Sequence, residues 1–175
     1  MKKILFSLLM MPALYSNAQT GSAPTLRSLL LEQLKTTHNK KDWFVPVNTA
    51  IEGLTVDQAN WTDGKNHSIG MLANHLLFWN AQELAKFKGE KPAAFNGNND
   101  ETFAKVDNSS WQTTIKKLDE VLTEIEKIVE TTDEAKLKNW YDEIAHIGTH
   151  NAYHTGQIIY IRKLQGSWDA NKGVK

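Results

Sequence analysis

The chain contains no cysteine. No disulfide can staple it and no thiolate can hold a metal, so any bound ion must be taken by histidine, carboxylate or carbonyl groups. Net charge is missing too, with 20 basic and 20 acidic residues among 175. That balance leaves no electrostatic footprint for nucleic acid or for an anionic membrane surface. Convincing strand periodicity is absent. The apolar run Ile4 to Leu14, interrupted by Ser7, contains Pro12 and falls short of the roughly 20 residues that a bilayer span requires.

That stretch is instead read as part of an export signal. Lys2 and Lys3 precede it, and the small residues Ser16 and Ala18 stand at the −3 and −1 positions of a cleavage site before Gln19. Residues 1–18 are therefore expected to be a cleavable signal peptide, and the protein periplasmic or secreted. No cysteine follows the cut, so neither a lipid anchor nor any other stable membrane anchor is expected. The mature chain, residues 19–175, loses two lysines with the leader, leaving 18 basic against 20 acidic residues. Its length suits one domain with one sizeable core.

The rest of the chain has helical periodicity. Leu26, Leu29, Leu30 and Leu34 form one stripe, predicting a helix over about 25–39. A short helical turn is expected after Pro46, followed by a connection through the polar residues 57–66. A second long helix over about 67–88 is apolar around more than half its surface, which argues heavy burial, and Gly89 stops it. Residues 89–108 form the longest loop, with a turn expected over 101–105; such a loop is either part of a site or a surface excursion. Ser109 with Gln112 looks like a capping box for a third helix, whose seam runs Trp111, Ile115, Leu118, Leu122, Ile125, Val129. After a turn over 131–139, a last helix runs over about 141–164. Four main helices in one short chain predict an all-α four-helix bundle.

His150 and His154 lie four residues apart in this last helix, close enough on its surface to meet one ion. The zinc-protease pattern would place a glutamate after the first histidine, and Asn151 stands there instead. At about 100° per residue, His154 falls about 40° and Ile161 about 20° from His150, so the pair faces the core, while Asn151 and Thr155 fall off that face. His75 phases in the same way with Met71, Leu72 and Trp79 on the second long helix. Three core-face histidines on two helices can supply three nitrogens to one ion and leave a fourth position open.

These residues carry a resemblance. His75-Leu76-Leu77-Phe78-Trp79 after Ser68-Ile69, with His150-x-x-Tyr153-His154-x-Gly156-Gln157-Ile158, Arg162, and Ile51-Glu52-Gly53-Leu54-Thr55 upstream, is similar to the DinB-like (YfiT-type) metalloenzymes. The resemblance spans essentially the whole mature chain. It implies an up-down-down-up bundle, a divalent metal, usually zinc or nickel, and the ligands His75, His150 and His154. It further implies, for some members, thiol-dependent transferase or isomerase activity on a small molecule, with a low-molecular-weight thiol as partner. An export signal departs from a mostly cytoplasmic family and puts that thiol in question.

Other residues are expected around the site. His146, one turn before His150, is a candidate fourth ligand or proton carrier, although its counterpart in the resemblance is not a ligand. Gln157 is placed to hydrogen-bond a bound water or a neighbouring helix, and Glu143 to stand at the entrance. Trp79 is a candidate lining residue. His38 either lines the same cavity or simply ends its helix, and His67 is expected at the surface. Leu31 is left over on the first helix and permits a homodimer. No carboxylate falls within one turn of the ligands on their own face, which disfavours a hydrolase. Three functions follow: a metal-dependent transferase or isomerase acting on a small molecule, a hydrolase using metal-activated water, and a non-catalytic exported binder of metal or small ligand.

Overall fold

The computed structural model describes residues 23–174; the expected signal peptide, residues 1–18, lies outside them. Helix α1 spans Leu26–His38, α2 Val47–Ile51, α3 Val56–Asn60, α4 Ile69–Lys88, α5 Asn108–Thr131, α6 Glu134–Leu137 and α7 Tyr141–Leu164. Among the described residues the chain is all-helical. The four long helices α1, α4, α5 and α7 pack against one another as a bundle.

Local chemistry fixes where the helices begin and end. Thr25, Ser68 and Asp107 cap α1, α4 and α5, each accepting a backbone N–H of the first turn. The α5 capping box is therefore Asp107 with Ser110 rather than Ser109 with Gln112; the carboxylate accepts from both Ser109 N and Ser110 N and wins the competition. The stretch read as a polar connection contains α3, because Thr55 and Gln58 form a capping box of their own. The 131–139 turn likewise holds α6, capped by Asp133, with Leu137 fully buried. Gly89 ends α4 at φ 72°, a left-handed conformation that a side chain would strain.

Cross-helix contacts give the directions. Arg27 and His38 of α1 meet residues 129–134 and 119–126 respectively, so α1 and α5 are antiparallel. Asn74 with Thr114 and Lys88 with Glu124 make α4 and α5 parallel. His75 lies by His150, and Glu83 shares a cavity with Glu143, so α7 runs opposite to α4. The order is up, down, down, up.

The apolar interior has two parts. One gathers Val47, Leu54, Ile69, Leu76, Trp111, Leu118 and Ile158; the other gathers Leu30, Leu34, Phe87, Ile125, Val129, Leu137 and Ile144. Polar side chains are buried as well, including His75, Asn80, Asn151 and His154. Asn151 and Thr155, expected off the core face, are 1% and 2% exposed, because α7 packs against α4, α1 and α2 and is covered on more than one stripe. Asn151 pairs with Asn80, whose amide donates to it at 2.8 Å. Arg162 is buried and donates to the carbonyls of Ala50, Glu52 and Ser167, tying α2 to the end of α7. Leu31 packs onto the second apolar cluster; the exposed leucines of α1 are Leu26 and Leu29.

Candidate metal centre

Antiparallel packing of α4 and α7 brings His75, His150 and His154 together, with one nitrogen from each lying within 4.8 Å of the others. Their hydrogen bonds decide which nitrogens are free. Thr102 donates its hydroxyl hydrogen to the Asn99 carbonyl at 2.7 Å, so its oxygen accepts from His75 Nδ1 at 2.6 Å. Gln157 Oε1 can only accept, so the His154 Nδ1 at 2.7 Å carries the hydrogen. In both rings Nε2 is left with its lone pair, the arrangement by which outer hydrogen bonds prepare imidazoles for a metal.

His75 Nε2 and His150 Nε2 are 3.1 Å apart. With the lone pair on His75 Nε2, His150 Nε2–H is the donor of this contact, a hydrogen that a bound cation would displace. The spacing is near the roughly 3.3 Å that two nitrogens take on a tetrahedral ion with bonds of about 2.0–2.1 Å. Burial first, then the proximity of His154 and His150, pushes His75 down to about 3, and burial with His154 pushes His150 down to about 4. Burial also lowers His154, against the opposing Gln157 hydrogen bond. The rings are thus neutral donors at ordinary pH, and the donor set fits a divalent ion.

The long loop belongs to this site. Besides Thr102, it supplies Phe103, whose ring stacks on His75 at 4.0 Å and 7°, and on whose other side His67 stacks at 3.9 Å and 1°. The expected turn lies earlier, as a 3-10 turn at Asn99–Thr102. His67 is exposed as expected, yet it shields the site.

Beside His75 and His150 lies a cavity of about 450 Å³, bounded by Trp79, Asn99, Glu83, Glu143 and His146. Trp79 donates its indole N–H to Asn99 Oδ1 at 3.2 Å and forms the wall next to His75. His146 and Glu143 are exposed on the cavity rim, and His146 does not join the three-histidine cluster. Gln157 serves His154 directly. His38 is elsewhere: fully buried, it bridges Glu126 at 2.7 Å and Asp119 at 2.9 Å. Thr102, Asn99 and Phe103 were invisible to helical phasing because they sit in a loop. Glu83 was accessible to it, at about 80° from His75 on the same helix.

A family model described as the DinB superfamily matches residues 47–158, which include all three clustered histidines. The chain belongs to the DinB superfamily. The match runs from α2 into α7 and so takes in the long loop with Thr102 and Phe103. Comparison with curated proteins and with solved structures gives no match. As a helical DinB protein, the chain carries a three-histidine cluster compatible with a divalent metal.

Proposed function

We propose that this DinB protein is a metal-dependent enzyme of the transferase or isomerase type, in which His75, His150 and His154 hold one divalent ion, zinc or nickel, and a small molecule reacts from the adjoining cavity. The observation that carries this reading is that two of the three histidines line a cavity of about 450 Å³. A site serving only stability would be closed by a fourth protein ligand, and His146 stands apart from the cluster. A bound divalent ion would supply Lewis acidity, favouring the ionised form of a thiol or other donor placed against it. Thr102 and Gln157 hold two of the imidazoles in one tautomer and orientation. Phe103, backed by His67, covers the His75 ring and limits water on that side. Glu83 and Glu143 lie seven or eight residues along their helices from the nearest ligand, roughly 10 Å at 1.5 Å per residue. That backbone separation leaves both carboxylates outside the three-histidine cluster, so the arrangement suits thiol transfer or isomerisation better than hydrolysis. The chain's export to a periplasm or medium is part of the same proposal and rests on Lys2, Lys3 and the Ser16-x-Ala18 cleavage pattern.

Metal analysis of the purified protein beside His75→Ala, His150→Ala and His154→Ala tests the ligand set. Near-stoichiometric metal in the parent and loss in each variant is expected; full retention by all three variants sinks the assignment. Titrating the cobalt-loaded protein with a small thiol tests the open position, which should give a new thiolate absorption. A spectrum indifferent to thiol would mark a closed site.

A further inference from the structure

The cavity beside the histidines is acidic at its far end. Glu83 on α4 and Glu143 on α7 both line it, and among the described residues no lysine or arginine does. Because α4 and α7 are antiparallel, stepping from His75 to Glu83 and from His150 to Glu143 leads toward the same end of the bundle. Glu83 is oriented rather than merely present. Lys86 holds its Oε1 at 2.6 Å from outside, while Oε2 is buried without a hydrogen-bond partner. A buried carboxylate oxygen left unpaired is costly, and a turn of the Glu83 side chain into the cavity it lines would let a donor on the ligand satisfy it. Trp79 adds an aromatic wall between the two ends, a surface that favours cations.

We infer that the substrate of this site carries a cationic nitrogen, an ammonium or guanidinium group, bound by Glu83 and Glu143 roughly 10 Å from the group that meets the histidines. The inference rests on the metal reading only for the anchoring of the other end. A small molecule with an electron-pair donor at one end and an amine at the other fits the cavity's length and charge. An anionic tail would face two carboxylates, with the nearby Lys86 outside the lining and already paired with Glu83.

The test uses three hydroxamates that share a chelating head: hexanohydroxamate, 6-aminohexanohydroxamate and adipic monohydroxamate. Calorimetry measures their binding to the full-length metal-loaded and metal-free protein, and to the Glu83→Gln, Glu143→Gln double variant. The amino probe should bind the loaded protein about tenfold more tightly than the neutral one, with the carboxylate probe weakest. In the double variant that preference should vanish while the neutral probe binds as before. Equal affinities for all three probes, or a preference that survives in the double variant, would overturn the inference while leaving the metal centre standing. Amino-probe binding that is indifferent to metal, with no neutral-probe binding, would keep the inference and remove the metal centre. Failure of every probe to bind would overturn both.

Discussion

Thr102 and Gln157 touch no substrate in this reading, yet they decide which nitrogens of His75 and His154 are free. Removing either acceptor lets its ring change tautomer and swing. Thr102→Val and Gln157→Leu should each weaken metal affinity by about 10–100-fold, measured by competition with a chromophoric chelator. Unchanged affinity in both would mean the hydrogen bonds do not prepare the ligands. The depressed histidines also give a pH signature to the metal-free protein. His75 and His150 are neutral when folded but titrate near 6.5 when unfolded, so the unfolded state takes up more protons between those values. Metal-free protein should lose stability progressively as pH falls from about 6.5 toward 4, followed by urea midpoints. The three histidines were legible from phasing because positions that share one face of a helix are periodic. Their acceptors divide: Gln157 was visible one turn beyond His154, although its partner was not, while Thr102 reaches His75 from a loop that has no period.

His38 shows how an element boundary becomes a clamp. The α1 stripe carries it inward, where it meets not the cavity but two carboxylates of α5, with Asn48 of α2 hydrogen-bonding Asp119. Burial taken alone lowers the His38 pKa, but the hydrogen bonds and charges of Glu126 and Asp119 together outweigh it and set the pKa above 6.5. The ion pairs therefore contribute in full below about pH 6.5 and fade as pH climbs through the raised value. With Glu126 only 13% exposed, His38→Ala should cost on the order of 3 kcal/mol near pH 6. The gap between parent and variant in denaturant unfolding should narrow at alkaline pH; a gap that widens would contradict a charged His38. Gly70 places a different demand on α4, since an added Cβ there would lie 2.5 Å from Val106 Cγ2. Gly70→Ala should destabilise by about 1–3 kcal/mol in the same measurement. The partner carboxylates Asp119 and Glu126 could not be paired with His38 from sequence, because the contact spans more than 80 residues.

At the scale of the molecule, the four long helices and the bundle class followed from periodicity, while the short helices α3 and α6 did not. Five- and four-residue elements carry too few apolar repeats to stand out, and their capping residues, Thr55 and Asp133, are the only local mark. Two apolar clusters, each drawing on α4, α5 and α7, mean that the fold does not depend on the histidines for its cohesion. Chelator treatment should therefore leave the protein helical and cooperatively folded, with a lowered melting temperature. Saturating metal at about 1,000 times its Kd should restore about 4 kcal/mol. Complete loss of helical circular dichroism on chelation would contradict this and favour a structural ion.

Thr102 and Phe103 fasten the 89–107 segment to the one ring on α4 that the site depends on. The order of that segment and the readiness of the ligand are thus two faces of one equilibrium. Hydrogen exchange across residues 95–105 should slow when metal is added, so that the loop reports the occupancy of a centre to which it lends no ligand.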